Sequence, residues 1–154
     1  MSDAPPATPH ILIVESRYYA DIAAELLRGV EAELDKAGAT SERIEVPGAF
    51  EIPTAVGMAA RAAETGAGRR FDGYITLGCV IRGETSHYDY ICGESARKLQ
   101  DLACDHALAL GYGILTCETA EQAMVRARVD GKDKGGDAAR ACLRMIEVKR
   151  RFHR

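Results

Sequence analysis

The amino-acid sequence predicts an α/β fold, a three-layer α/β/α sandwich in which helices cover both faces of a four-stranded parallel sheet. Two observations lead to this prediction. Runs such as residues 10–15 are apolar without alternating polar residues. A continuous apolar run of this kind is typical of a strand buried on both faces of a parallel sheet. Each run is followed by a segment whose apolar residues recur at helical spacing, which indicates a helix. A chain in which strands and helices alternate forms a parallel sheet with right-handed crossovers.

The predicted elements follow one another along the chain without an internal repeat. Gly38 closes the first predicted helix, as glycine commonly does at helix C-termini. Pro47-Gly48 ends the second strand because proline cannot continue a strand ladder, and Pro53 suits the first turn of the second helix. The predicted strands are residues 10–15, 43–46, 71–77 and 111–117, and the predicted helices begin near residues 21, 51, 88, 121 and 137.

Length and composition indicate one globular domain. The chain has 154 residues, of which 47% are hydrophobic and 28% charged, and we place one domain at residues 10–154 after a flexible, proline-rich segment at residues 1–9. A formal net charge of −3 argues against general nucleic-acid binding, which needs a basic surface. No apolar run approaches the ~20 residues of a membrane span. We therefore expect a cytoplasmic protein that binds neither nucleic acid nor membrane.

The five cysteines follow no pattern typical of disulfides or zinc sites. They stand at positions 79, 92, 104, 117 and 142. An odd number at wide spacing is not a disulfide framework, and the closely spaced cysteine pairs that mark zinc sites are missing. The favoured interpretation is reduced, buried thiols in a reducing compartment, with no metal site.

The stretch GCVIRGETSHYDY at residues 78–90 is the strongest candidate for a functional site. It follows the third strand, and its glycine, threonine and serine residues predict a tight turn into a helix. Backbone N–H groups of residues 83–86 at such a helix N-terminus would attract an anion such as phosphate. His87 comes next, and histidine is suited to proton transfer near neutral pH. Taken alone, the turn could be one that binds no ligand, and His87 could be a histidine without a catalytic role.

The loops at the carboxyl ends of the predicted strands hold further candidate residues, because open α/β sheets bind ligands there, where the strand order reverses. These loops offer an aromatic ring at Tyr18, a carboxylate at Glu51 and the backbone groups of residues 79–81. The set suits a flat polar heterocycle, a polyol and a phosphorylated second reactant. The alternatives are a partly buried aromatic at Tyr18, a helix-dipole acid at Glu51, and solvated charges at Arg126 and Lys134.

Four ordered motifs resemble those of the lumazine synthase (6,7-dimethyl-8-ribityllumazine synthase) family. They are VPGAFEIP at residues 46–53, LGCVIRGETSHYDY at 77–90, GILT at 113–116 with EQA at 121–123, and Lys134-Gly135. The resemblance implies a flavodoxin-like fold and a transferase of riboflavin biosynthesis that needs no cofactor. Such an enzyme condenses 5-amino-6-(D-ribitylamino)uracil with 3,4-dihydroxy-2-butanone 4-phosphate and releases phosphate and water, in the penultimate step of the pathway.

The resemblance also implies a role for each site residue. His87 is then the catalytic acid and base. The ribitylaminouracil is bound by Tyr18, Ala49, Phe50, Glu51, Cys79, Val80, Ile81 and Tyr112, and the butanone phosphate by Glu84, Thr85, Arg126 and Lys134. Tyrosine stands at positions 18 and 112, where the family usually has phenylalanine. Residues 130–133 also depart from the usual Gly-Asn loop of the family.

The resemblance further implies a homopentamer, which in the family can assemble into larger particles. Its sites lie between neighbouring subunits, and the sequence offers a reason. Tyr18, Glu51 and His87 lie at the ends of strands one to three, whereas Tyr112, Arg126 and Lys134 follow strand four, at the far side of a narrow sheet. Two rival functions stay open. One is a flavin- or nucleotide-binding module, since a fold does not fix a function. The other is a scaffold or shell protein, against which the joint presence of Glu51, His87 and Arg126 argues.

Overall fold

A computed structural model of the chain describes residues 7–153. The strands are β1 His10–Ser16, β2 Thr40–Val46, β3 Gly73–Ile81 and β4 Leu110–Cys117, and the helices are α1 Ala20–Lys36, α2 Ile52–Glu64, α3 His87–Asp105, α4 Ala120–Ala127 and α5 Lys134–Phe152. A short 3-10 turn, Ala49–Glu51, precedes α2. Most of the segment expected to be flexible, residues 1–6, lies outside the described residues. Across residues 7–153, no helix has the length and apolar character needed to cross a membrane.

All four strands run parallel in one sheet with the order β2-β1-β3-β4. The predicted parallel sheet is therefore confirmed. The chain first adds β2 on one side of β1 and then crosses to β3 on the other side, so the strand order reverses between β1 and β3. The loops that follow β1 and β3 meet at this reversal, which is where open α/β sheets bind ligands.

Two hydrophobic cores cover the two faces of the sheet. Ile11 and Ile13 of β1 pack into a core shared with α1, α4 and α5, whereas Leu12 and Val14 pack into a core shared with α2 and α3. All four side chains are buried. Because successive side chains of a strand point to opposite faces, a strand that is apolar at every position requires helices on both sides. The three-layer α/β/α arrangement is confirmed.

The third strand does not end at Gly78, where the sequence predicted that a loop begins. β3 instead runs from Gly73 through Gly78 to Ile81. A Cβ added at Gly78 would lie 3.3 Å from Cδ1 of Ile52, so this glycine permits the close approach of α2 rather than a turn. Residues 79–81, predicted as loop residues, are held in the sheet by pairing with β4.

Apart from β1, the starts of the other elements also differ from the predicted ones, most of them by one or two residues. The edge strand β2 begins at Thr40 rather than residue 43, and α3 begins at His87, one residue earlier than predicted. The last helix begins at Lys134 rather than near residue 137. Asp133 caps this helix, since its carboxylate accepts a hydrogen bond from the Gly136 N–H at 3.2 Å. Lys134 is therefore part of a helical turn and not of a loop.

Candidate active site

A cleft of about 690 Å³ lies at the carboxyl edge of the sheet. Four segments line it: the loop after β1, residues 47–51 after β2, the end of β3, and the loop that leads into α3 together with the start of that helix. Its volume is within the range typical of small-molecule sites. The structure brings together these predicted site residues along its walls: Tyr18, Ala49, Phe50, Glu51, Cys79, Val80, Ile81, Thr85 and His87.

Two tyrosines after β1 form an aromatic wall of the cleft. The ring centroids of Tyr18 and Tyr19 lie 5.0 Å apart at an interplanar angle of 72°. Tyr19 packs against the core beneath α1, and burial is the main cause that raises the pKa of its hydroxyl. Tyr18 is 75% exposed. Tyr19 therefore anchors the loop, while Tyr18 offers an open ring face on which a flat ligand can stack.

The 3-10 turn Ala49–Glu51 supports a second wall. Ala49 is buried in the core beneath α2 and α3, whereas Phe50 and Glu51 are exposed. The Glu51 N–H donates a hydrogen bond to the Gly48 carbonyl oxygen at 3.2 Å, which closes the turn. Ala49 thus fixes the turn to the core, and the turn presents the Phe50 ring and the Glu51 carboxylate to the cleft. A carboxylate in this position can accept hydrogen bonds from the hydroxyl groups of a polyol.

The end of β3 lines the cleft with Cys79, Val80 and Ile81. All three are half-buried, and they pair with β4 from Leu115 to Cys117. Burial, followed by the nearby Cys117 thiol, raises the pKa of Cys79 to about 12. Cys79 is thus a protonated thiol at neutral pH, whereas a cysteine nucleophile reacts as the thiolate. This part of the wall offers apolar surface and backbone hydrogen-bonding groups.

His87 stands at the first turn of α3, directly after the exposed loop of residues 83–86. Gly83 and Thr85 line the cleft together with His87. The His87 N–H donates to Oγ1 of Thr85 at 3.4 Å. Ser86 precedes the helix without a side-chain capping bond. Backbone N–H groups at a helix N-terminus favour an anion, so the structure places a potential anion site beside an imidazole.

The remaining predicted site residues, Glu84, Tyr112, Arg126 and Lys134, do not line the cleft of this chain. Glu84 lies in the loop before α3 but faces solvent. Tyr112 lies near the start of β4, and Arg126 and Lys134 lie on α4 and α5. Nη1 of Arg126 donates to the carbonyl oxygen of Gln122 at 3.0 Å, within its own helix. One chain alone therefore does not bring these four side chains to the cleft.

The cleft also contains residues that the sequence prediction did not assign to the site. They are Tyr19, Pro47, Gly48, Tyr88, Tyr90 and Ile91. Tyr88 and Tyr90 belong to the motif HYDY, and the aromatic residues directly after His87 were a signal that could have identified them. Tyr90 is 68% exposed and adds a ring to the mouth of the cleft. Ile91 carries no such signal in the sequence.

The polar groups of the cleft are suited to hydrogen bonding and proton transfer. Among residues 7–153, no group of three or more His, Cys, Asp or Glu side chains is arranged to hold a metal ion. The five cysteines are all free thiols. The cleft combines a stacking surface, a carboxylate, a potential anion site and an imidazole, which is a set of groups that can bind two polar reactants and move protons between them.

The fold and the cleft together define a flavodoxin-like α/β protein with a ligand-sized site at the reversal point of its sheet. The family model described as 6,7-dimethyl-8-ribityllumazine synthase matches residues 8–150. The chain belongs to this family.

Curated relatives support the same assignment over nearly the whole chain. The chain is 56% identical over 143 residues to 6,7-dimethyl-8-ribityllumazine synthase 1 of Rhizobium meliloti (strain 1021), which covers 93% of each protein. It is 53% identical over 144 residues to the 6,7-dimethyl-8-ribityllumazine synthase of Agrobacterium fabrum, covering 94% of this chain and 97% of that protein. A third relative of the same name, from Afipia carboxidovorans, is 50% identical over 142 residues, or 92% of this chain and 86% of that protein.

Proposed function

We propose that the cleft is the active site in which this chain, a transferase of riboflavin biosynthesis, makes 6,7-dimethyl-8-ribityllumazine. The substrates are 5-amino-6-(D-ribitylamino)uracil and 3,4-dihydroxy-2-butanone 4-phosphate. The observation that carries this proposal is the convergence on one cleft of an open aromatic ring, a carboxylate and an imidazole, each from a different segment of the chain. The family membership supports the same reaction.

The ribitylaminouracil is proposed to bind along the wall formed by the ends of β1 and β3. Its ring stacks on the exposed face of Tyr18, with tyrosine replacing the phenylalanine of the resembled motif without loss of the ring face. Its ribityl chain lies along the 3-10 turn, where the Glu51 carboxylate accepts hydroxyl hydrogen bonds. The backbone groups of residues 79–81 bind the edge of the pyrimidine.

The butanone phosphate is proposed to bind at the loop of residues 83–86, with its phosphate at the N-terminus of α3. The amine of the pyrimidine attacks the ketone, and water leaves as the imine forms. Loss of a proton from the adjacent carbon expels phosphate and leaves an enol, which takes up a proton at its terminal carbon to become a ketone. The ribitylamino nitrogen then attacks this ketone, and the ring closes with loss of water. His87 takes and returns the protons, and holding two well-oriented reactants together can lower a barrier by as much as about 7–11 kcal/mol.

Tyr112, Arg126 and Lys134 are proposed to reach the cleft of a neighbouring subunit in a cyclic homopentamer. Their absence from the cleft of their own chain supports this arrangement. A head-to-tail ring places one surface of each subunit against a different surface of the next, so that two subunits can complete one site. Among the described residues, no carboxylate lies within ion-pair distance of Arg126, which suits a guanidinium that receives a phosphate.

Two further assignments complete the proposal. We place the protein in the cytoplasm, as its five free thiols suit a reducing compartment. We also take residues 10–154 to act as one domain, since the two cores share a single sheet.

The test is to incubate the purified protein with both substrates and to follow the fluorescence of the lumazine. Product should form only when both substrates are present, and phosphate should appear at the same rate. Omission of either substrate is the control. Tight binding of a flavin with no turnover of the two substrates would instead support a flavin-binding module, and the proposed function would be wrong.

A further inference from the structure

We propose that Arg82 is a positioning residue that holds the loop of residues 83–86, and with it His87, in the geometry needed for the reaction. It does so by joining the two ends of the loop and fastening both to the end of β4. The kinetic part of this inference rests on the proposed function. The structural part, that Arg82 holds the loop of residues 83–86 in place, does not depend on it.

The guanidinium of Arg82 has partners on two separate elements. Its Nε donates to Oε2 of Glu118 at 2.8 Å, and its Nη1 donates to Oδ1 of Asp89 at 3.3 Å. Its Cζ lies 4.2 Å from the centroid of the Tyr88 ring, which is a cation–π contact. Glu118 follows β4, whereas Tyr88 and Asp89 belong to the first turn of α3. The Arg82 N–H also donates to the Cys117 carbonyl oxygen at 3.0 Å.

The partners of Arg82 lie at both ends of the loop of residues 83–86 and at the end of β4. Arg82 directly precedes the loop, and two of its side-chain partners, Tyr88 and Asp89, directly follow His87. The side chain therefore spans the base of the loop from one end to the other. Glu118 ties the same guanidinium to the end of β4, which is paired with β3 up to Ile81 and Cys117. The loop and His87 are thus fixed relative to the sheet edge that forms the cleft.

The loop itself has few other contacts that could fix its shape. All of residues 83–86 are exposed, and a Cβ added at Gly83 would meet no atom within 4 Å. Within the described part of the chain, the hydrogen bonds of the loop are local: His87 N–H to Thr85 Oγ1, and the N–H groups of Asp89 and Tyr90 to the Ser86 carbonyl oxygen. Because no packing within the described part of one chain covers the loop, its conformation in a single subunit depends on its ends.

An exposed arginine with two carboxylate partners could also be an ordinary surface ion pair, which contributes little to stability. The chain provides a matched control for that alternative. Arg97 lies on α3, the helix that also carries Tyr88 and Asp89, and has two carboxylate partners of its own, Glu94 at 2.7 Å and Asp101 at 3.0 Å. It does not line the cleft. A substitution at Arg97 therefore removes a comparable set of ion pairs without touching the loop.

The kinetic experiment compares Arg82→Gln, Arg82→Lys and Arg97→Gln with the wild type. Arg82→Gln is expected to lower kcat about 10- to 100-fold, since a displacement of about 1 Å can have such an effect, and to raise the KM for the butanone phosphate but not for the pyrimidine. Arg82→Lys should recover only part of the rate, because an ammonium group cannot serve both carboxylates with a planar fork. Arg97→Gln should have wild-type constants.

A double variant separates positioning of His87 from any other effect. In the His87→Ala background, Arg82→Gln should lower kcat by a much smaller factor than in the wild type, because the group that Arg82 positions is already absent. An equal loss in both backgrounds would show that Arg82 does not act through His87. Wild-type constants in Arg82→Gln would overturn the inference outright.

Hydrogen–deuterium exchange gives a readout that does not depend on the reaction. The backbone amides of residues 83–89 should exchange faster in Arg82→Gln than in the wild type, while Arg97→Gln should leave them unchanged. Unchanged exchange in Arg82→Gln would contradict the positioning role. If the wild-type protein makes no lumazine but the amides of residues 83–89 still exchange faster in Arg82→Gln, the proposed function is overturned and the structural role of Arg82 stands.

Discussion

His87 is the residue that moves protons in the proposed reaction, and it lines the cleft from the first turn of α3. His87→Ala is expected to lower kcat about 10- to 100-fold, while the KM values of both substrates stay nearly unchanged. Proximity of the two reactants in the cleft sustains the remaining rate. Steady-state kinetics with each substrate varied in turn measures both constants. A rise in KM as large as the fall in kcat would make His87 a binding residue instead.

Cys79 lines the cleft but is expected to react slowly. Burial raises the pKa of its thiol from 9.0 to about 12, so the folded protein holds the proton more tightly than the unfolded chain does. Its contribution to stability is therefore complete below about pH 9 and is lost as the pH rises towards 12. At pH 8, iodoacetamide should modify the exposed Cys104 well before Cys79, as measured by mass spectrometry of peptides. Equal rates would contradict the burial of the Cys79 thiol.

The sequence predicted those cleft-lining residues whose placement is set locally. Glu51 and His87 stand in short motifs at the starts of helices, and their chemistry can be inferred from neighbours in the chain. Tyr19 was missed because nothing local distinguishes it from Tyr18. Only the packing of α1 on the sheet turns the Tyr19 ring inward and leaves Tyr18 exposed.

The strands and helices show a similar division between local and tertiary causes. The strand β1 was predicted from its continuous apolar run, which requires burial on both faces. The end of β3 was not, because Gly78 was interpreted as a break in the strand. That glycine serves the close packing of Ile52 from α2, a contact between residues distant in sequence. The order of the strands likewise depends on pairings that no local pattern encodes.

Gly111 of β4 allows the close contact between β4 and α5. A Cβ there would overlap the Ala138 carbonyl oxygen, so only glycine lets α5 pack this closely on the sheet. Gly111→Ala is expected to lower the free energy of unfolding by about 1–3 kcal/mol. Gly93→Ala is the control, since a Cβ at this position of α3 meets no atom within 4 Å. It should raise stability by about 0.5–1 kcal/mol.

Urea denaturation of the two variants and the wild type measures both changes. A Gly111→Ala variant as stable as the wild type would show that β4 and α5 can separate at no cost, contrary to the close contact in the structure. A loss of stability in Gly93→Ala would show that this face of α3 is not open.

The cleft of one chain contains one group of the predicted site residues, and a second group lies outside the cleft on the same chain. The first group comes from the carboxyl ends of β1 to β3, and the second, Tyr112, Arg126 and Lys134, lies on β4, α4 and α5. If the second group acts in the reaction, a neighbouring subunit must supply it. Mixed oligomers test this directly, because His87 and Arg126 of one functional site then belong to different chains.

The decisive measurement is therefore the activity of a mixed oligomer made from two parents of low activity. His87→Ala and Arg126→Ala proteins are unfolded, combined in equal amounts and refolded, and mass spectrometry confirms that the oligomers are mixed. With random cyclic assembly, roughly a quarter of the interfaces pair an intact His87 with an intact Arg126, so activity should return to about a quarter of the wild-type value. Confirmed mixed oligomers whose activity does not rise above that of the parents would contradict the shared site.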